Sequence, residues 1–123
     1  MEAGTLYVVA TPIGNLADIS ERARETLALC DVVACEDTRV TGALLNRLGL
    51  KKEMFVNENS REKSAAPALL KMLSEGKNIA LVSDAGTPCV SDPGFRIVRA
   101  CRAAGVKVSP VPGPCAFISA LCA

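Results

Sequence analysis

Five times along this chain a short run rich in Val, Ile, Leu and Ala ends in a turn and gives way to a stretch with helical spacing. The runs fall at residues 5–10, 32–35, 54–56, 77–82 and 106–111. The fourth carries Ile79, Ala80, Leu81 and Val82 in succession, so neither of its faces is suited to water. A strand that is apolar on both faces belongs in the middle of a parallel sheet covered by helices. Strands alternating with helices also need crossovers of one hand, the right hand, which lay the helices over both sides. The expected fold is therefore α/β, with a five-stranded, mainly parallel sheet and helices on both faces.

The helical stretches carry their own boundary signals. Ser20 reads as an N-cap with Glu21 in the first turn, followed by Ala23, Leu27 and Cys30 at helical spacing. A helix from about Val40 carries Ala43, Leu44, Arg47 and Leu48 and stops at Gly49. Ser64 is expected to cap the third helix, with Pro67 in its first turn and Ala66, Leu69, Leu70 and Leu73 on one apolar face before Gly76. Asp92 and Pro93 repeat that grammar for the fourth, whose inward residues are Gly94, Ile97, Val98 and Cys101, with Gly105 closing it.

With 123 residues, half of them apolar, the chain has the size of one domain and can bury a core without staples. It has six cysteines and no histidine. No pair is spaced Cys-x-x-Cys, so the cysteines read as small buried residues of a reducing cytosol, and zinc fingers and histidine-based nucleophile systems are excluded. No apolar run approaches the ~20 residues of a membrane span, and the start lacks a signal-peptide pattern. A cytoplasmic protein with neither membrane nor metal partner is expected. The net charge is +1, but four Arg face seven acids over residues 1–50, whereas Arg96, Arg99, Arg102 and Lys107 face only Asp92 over 89–123. The three arginines form either a solvated helix face or a phosphate-tracking stripe.

Three of the strand ends open into loops short on side chains: Thr11-Pro12-Ile13-Gly14-Asn15, Ser83-Asp84-Ala85-Gly86-Thr87-Pro88 and Val111-Pro112-Gly113-Pro114-Cys115. In a parallel sheet they leave from one edge and can converge on one ligand, offering rigid backbone donors and acceptors. The nine glycines never fall as Gly-x-Gly, and no Gly-Lys-Ser/Thr occurs, so neither a dinucleotide fingerprint nor a P-loop is present. A further strand end carries Glu36-Asp37-Thr38-Arg39, either a helix-start acid cluster or a working constellation.

Together the segment from Leu6 to Leu16, Glu36-Asp37-Thr38-Arg39, the segment from Leu81 to Pro88 with Ser91-Asp92-Pro93-Gly94, and Val111-Pro112-Gly113-Pro114 resemble the ribosomal RNA small subunit methyltransferase I family, within the tetrapyrrole methylase superfamily. The resemblance implies an S-adenosylmethionine-dependent enzyme acting on the ribose 2′-hydroxyl of a cytidine in bacterial 16S rRNA, in the small ribosomal subunit. It further implies a homodimer of two-domain subunits, of which residues 1–123 form the N-terminal domain, inactive alone; the apolar stop at residues 115–121 agrees with that expectation. Carried over by motif, Pro12, Asp84, Ala85, Gly86, Thr87, Pro114 and Cys115 are the cofactor-binding candidates. Asp84, Glu36 and Asp37 are the catalytic candidates, and Arg39 and Asn15 the substrate-binding ones. The sequence departs from the family in having Asn57-Glu58-Asn59 where histidine is frequent, and Cys115 where a small or hydroxylated residue is common. The alternatives are a methylase of the same fold acting on a small molecule or a protein side chain, and a non-catalytic binding fragment.

Overall fold

A computed structural model of the chain describes residues 2–12, 15–57, 62–83, 95–113 and 121. They form five strands, β1 (Leu6–Val9), β2 (Val32–Cys35), β3 (Glu53–Val56), β4 (Ile79–Leu81) and β5 (Val108–Val111). The α-helices are α1 (Glu21–Leu29), α2 (Thr38–Arg47), α3 (Glu62–Ser74) and α4 (Phe95–Ala103), and a short 3₁₀ turn spans Leu16–Asp18.

The sheet order is β3-β2-β4-β1-β5, and every pairing is parallel. β4 is thus the central strand, and all three of its residues are buried. Side-chain alternation splits its neighbourhood into two cores. Ile79 and Leu81 pack with Leu6, Val32, Ala34, and Leu69 and Leu73 of α3 and Ile97 and Cys101 of α4. Ala80 and Val82 pack on the other face with Val9, Val33, Cys35, and Ala23 and Leu27 of α1 and Leu45 of α2. The helices therefore lie on both faces, two on each. The two crossovers that step one way along the sheet carry α1 and α2, and the two that step back carry α3 and α4. Reversing direction while keeping one hand of crossover forces this change of face.

Local chemistry holds the frame. Ser20 Oγ accepts the Ala23 N–H at 3.0 Å, capping α1 as its sequence implies. At the other end of α1, Lys52 Nζ donates to the carbonyls of Ala28 (2.6 Å) and Cys30 (2.9 Å), which have no partner within the helix. Gly49, Gly76 and Gly105 take φ of +73°, +93° and +75° just past α2, α3 and α4, the left-handed backbone that ends a helix.

Two boundaries differ from expectation. α2 begins at Thr38 rather than near Val40, because Asp37 serves as its N-cap. α3 begins at Glu62, so Ser64 is no cap and Pro67 lies inside the helix instead of in its first turn. Glu62, Lys63, Ala65 and Ala66 are strong helix formers, which extend the helix back past the serine. Pro67 is exposed, and it deprives the carbonyl one turn back of its N–H donor. The caps assigned to Asp92 and Pro93, and Gly94, lie outside the described residues.

At the amino edge of the sheet, Asn78 ties three strands together. Its Oδ1 accepts the Thr5 N–H at 3.0 Å, its N–H donates to Asp31 Oδ2 at 2.8 Å, and its carbonyl accepts the Asp31 N–H at 2.8 Å. Gly4 fits against this junction only because it lacks a side chain: a Cβ there would overlap the Lys77 carbonyl oxygen. Gly4→Ala is expected to lower stability by about 1–3 kcal/mol, as overpacking against fixed backbone does. Urea unfolding checks this, with Gly105→Ala as a contrast in which strain comes from φ alone.

Candidate functional site at the carboxyl edge of the sheet

Because all five strands run parallel, their carboxyl ends share one edge. β4 leaves that edge toward the α3/α4 face, while its neighbours β1 and β2 leave toward the α1/α2 face. Such a divergence opens a crevice outside the strand ends, where α/β proteins place ligands.

The stems of the three Gly/Pro loops stand side by side there, as the order β4-β1-β5 requires. Thr11 Oγ1 lies 3.5 Å from the Ser83 carbonyl oxygen, the long limit of a hydrogen bond, and both residues are buried. The Ala10 N–H donates to the Val111 carbonyl at 3.2 Å. A Cβ on Gly113 would come 3.0 Å from the Ala10 Cβ, so glycine lets the last loop close tightly on the first. Thr11, Pro12, Ser83, Pro112 and Gly113 are all short, which leaves the main chain near anything bound at this edge. Pro12 is half-buried at the start of the first loop. Asp84, Ala85, Gly86, Thr87, Pro114 and Cys115 lie outside the described residues.

The end of β2 carries the acids. Glu36 and Asp37 are half-buried, and Asp37 is held on three sides by one residue. Its Oδ1 accepts the Arg39 N–H at 2.9 Å and Arg39 Nε at 3.2 Å, and its Oδ2 accepts Arg39 Nη2 at 3.0 Å. The Arg39 side-chain hydrogen bonds, then its backbone N–H, hold the Asp37 carboxyl below the usual carboxylate range, and Asp37 in turn raises the Arg39 guanidinium. A carboxyl with a depressed pKa stabilises its helix start fully above the ordinary carboxylate pKa and loses that contribution as pH falls through the depressed value. It is also a weak proton acceptor. The Arg39 side chain stays 90% exposed, so its outer face remains open to solvent.

Asn15 is exposed, and its Oδ1 caps the short turn by accepting the Ala17 N–H at 3.0 Å. Beside it a cleft of about 210 Å³ lies between the loop after β1 and α2. Thr11, Pro12, Asn15 and Leu16 form one wall, and Val40, Ala43, Leu44 and Arg47 form the other. α2 buries Thr41 and Leu45 instead, so the residues at 40, 43, 44 and 47 face the cleft and not the core. The helix spacing was readable in the sequence, but which stripe met the sheet depended on the start at Thr38.

Two residues emerge that sequence reasoning did not single out as functional. Arg47 enters through the cleft. Asn57, at the end of β3, is 2% exposed, and its N–H donates to the Cys35 carbonyl at 2.6 Å. Its Nδ2 and Oδ1 have no hydrogen-bond partner among the described residues. Its only sequence signal was standing where relatives of the resembled family often carry histidine.

Nucleophilic thiols are not on offer among the described cysteines. Burial, with Asp31 adding, pushes Cys30 up to about 12, and burial pushes Cys101 up to about 11, so both stay protonated at neutral pH. Cys30, Cys35 and Cys101 are buried and none of them is in a disulfide, in line with a role as small core residues. No group of three or more metal-ligating side chains occurs among the described residues, and no helix among them is long and apolar enough to cross a membrane. Arg99 and Arg102 are exposed on α4, on the opposite face of the sheet from the cleft.

The fold agrees with what the chain is similar to. Residues 5–123 match the family model of the tetrapyrrole (corrin/porphyrin) methylases, and the chain belongs to that family. It is 57% identical over 120 residues to the ribosomal RNA small subunit methyltransferase I of Haemophilus influenzae and 56% identical over 120 residues to that of Escherichia coli O157:H7. Each match takes in 98% of this chain and 42% of the relative, so the chain spans about two fifths of the length of these curated proteins. Among solved structures, a uroporphyrin-III-C-methyltransferase from Thermus thermophilus superposes with a TM-score of 0.72 at 26% identity, covering 89% of this chain and 47% of that one. A native form of the enzyme from the same organism gives a TM-score of 0.74 at 22% identity, a likeness of fold.

Asn57 yields a direct expectation. A buried carboxamide with no partner among the described residues carries a desolvation cost that they do not offset, so the near-isosteric Asn57→Leu should raise stability by about 1–3 kcal/mol. Chemical denaturation of the two proteins measures it, and a loss of stability would mean that the carboxamide has a partner it needs.

Proposed function

We propose that this chain is the N-terminal domain of an S-adenosylmethionine-dependent methyltransferase that methylates the ribose 2′-hydroxyl of a cytidine in 16S rRNA of the small ribosomal subunit. The observation that carries the reading is the 57% identity, over nearly the whole chain, to a protein named for small-subunit ribosomal RNA methylation. In this reading the protein works in the cytoplasm as a homodimer of two-domain subunits, with the cofactor between the domains.

The residues at the carboxyl edge fit such a cofactor. Short side chains at Thr11, Pro12, Ser83 and Gly113 bring main-chain groups within reach of an adenosine and a polar tail, and the tight Ala10–Gly113 approach fixes their spacing. Pro12, Asp84, Ala85, Gly86, Thr87, Pro114 and Cys115 would hold it, with Asp84 as the orienting charge. When bound, S-adenosylmethionine supplies an electrophilic methyl group. The protein has to align a weak nucleophile with that group and relieve it of a proton, and alignment is the larger task.

The acids at the end of β2 take the substrate side. Asp37, its carboxyl held low by Arg39, is a weak proton acceptor, and the proton-acceptor role on this side is assigned to Glu36, half-buried at the end of β2. The Asp37–Arg39 unit then presents an exposed guanidinium to the RNA backbone, and Asn15 offers amide donors on the neighbouring loop.

Small ribosomal subunits lacking the modification, incubated with full-length protein and S-adenosylmethionine, are expected to acquire 2′-O-methylcytidine. Nuclease mapping and mass spectrometry read the product. Glu36→Gln should cut the rate by about 10²–10⁴ with cofactor affinity intact, whereas Asp84→Asn should weaken cofactor binding in calorimetry. Transfer to a small molecule or a protein side chain, with none to the subunit, would overturn the substrate assignment.

A further inference from the structure

The cleft beside α2 differs in kind from the strand-end loops. Its volume of about 210 Å³ is below the ~300 Å³ at which sites enclosing a whole small molecule begin. It suits one unit of a chain laid across the surface. Pro12, Leu16, Val40 and Leu44 give it apolar walls, with Val40 42% exposed.

The polar groups lining it are one-sided. Asn15 Oδ1 already accepts the Ala17 N–H, and its side-chain amide adds two N–H donors to this wall. Among the described residues Arg47 is exposed and pairs with no acid, and none of those lining the cleft is a carboxylate. An occupant must therefore be partly apolar and carry an anion or strong acceptor. The cleft also shares Thr11 and Pro12 with the carboxyl edge, so whatever fills it lies next to the reacting centre.

From the proposed action on RNA, on which this inference rests, we propose that the cleft seats a ribose–phosphate unit flanking the methylated nucleotide, with Arg47 holding its phosphate. The apolar walls take the sugar or base face, and the guanidinium fork matches two phosphate oxygens. Arg47 sits in the last turn of α2, whose negative pole repels an anion, so phosphate can bind there only with that cation present. Arg39, by contrast, is already shared with Asp37.

The test uses full-length protein and small ribosomal subunits lacking the modification, with methyl transfer followed against subunit concentration at several salt concentrations. Arg47→Gln is expected to raise KM for the subunit about tenfold, with kcat and the Kd for S-adenosylmethionine unchanged. The slope of log affinity against log salt should fall by about 0.7, the value for one phosphate on a single strand. Arg47→Lys keeps the charge at the helix end and should restore the salt slope while recovering only part of the affinity. Unchanged KM and slope in Arg47→Gln would overturn the proposal while leaving the methyltransferase reading standing. So would a KM rise that follows a fall in melting temperature and is fully repaired by Arg47→Lys, since that marks support of the helix end. Failure of the unaltered protein to methylate the subunits would instead remove the RNA reading itself.

Discussion

Everything at the functional edge depends on β4 being buried on both faces. A three-residue strand with Ile79 and Leu81 on one side and Ala80 on the other can be satisfied only if helices cover both sides of the sheet. The chain meets that demand by reversing its direction along the sheet after β3, which moves the remaining crossovers to the opposite face. The same reversal places the helices that follow β4 and β1, though the strands are hydrogen-bonded neighbours, on opposite faces of the sheet. Burial of the central strand and the change of face between β4 and β1 are thus one topological event, with packing as its cause and a strand-order switch of the kind that places ligands at the carboxyl edge as its consequence.

The described strand ends at this edge carry very little side chain. Thr11 and Ser83 are buried hydroxyl residues at adjacent strand ends, and a Cβ on Gly113 would come as close as 3.0 Å to that of Ala10. Such a floor is rigid and polar without being charged, which suits alignment of a cofactor better than acid–base work. The charged chemistry is displaced to the next strand end, where Asp37 and Arg39 neutralise one another and fix the first turn of α2. That turn sets the rotation of the whole helix, and with it the face that Val40, Leu44 and Arg47 present to the cleft.

The fold class was legible because period and composition agreed: continuous apolarity at 79–82, helical spacing between the runs, and glycines at 49, 76 and 105 where the backbone turns left-handed. The convergence of the three loop stems was legible for the same reason, since parallel strands share an edge. What was not legible lay in choices between nearly equal local signals. Ser64 and Glu62 both suit a helix start, and the stronger formers won, leaving Pro67 internal. Asp37 read as either a cap or a catalytic acid, and its cap role shows only once the Arg39 N–H is placed. Arg47 and Asn57 carry no motif; the one is marked by the cleft it lines, the other by burial without partners.

The central claim is that ligand binding belongs to the carboxyl edge at β4, β1 and β5. Amide hydrogen exchange of the full-length protein with and without S-adenosylmethionine tests it most directly. Slowed exchange is expected at Thr11, Ser83, Val111 and Gly113, with Gly4, Asp31 and Asn78 at the opposite edge unchanged. Protection at the amino edge, or binding that leaves the carboxyl-edge amides as they were, would contradict it.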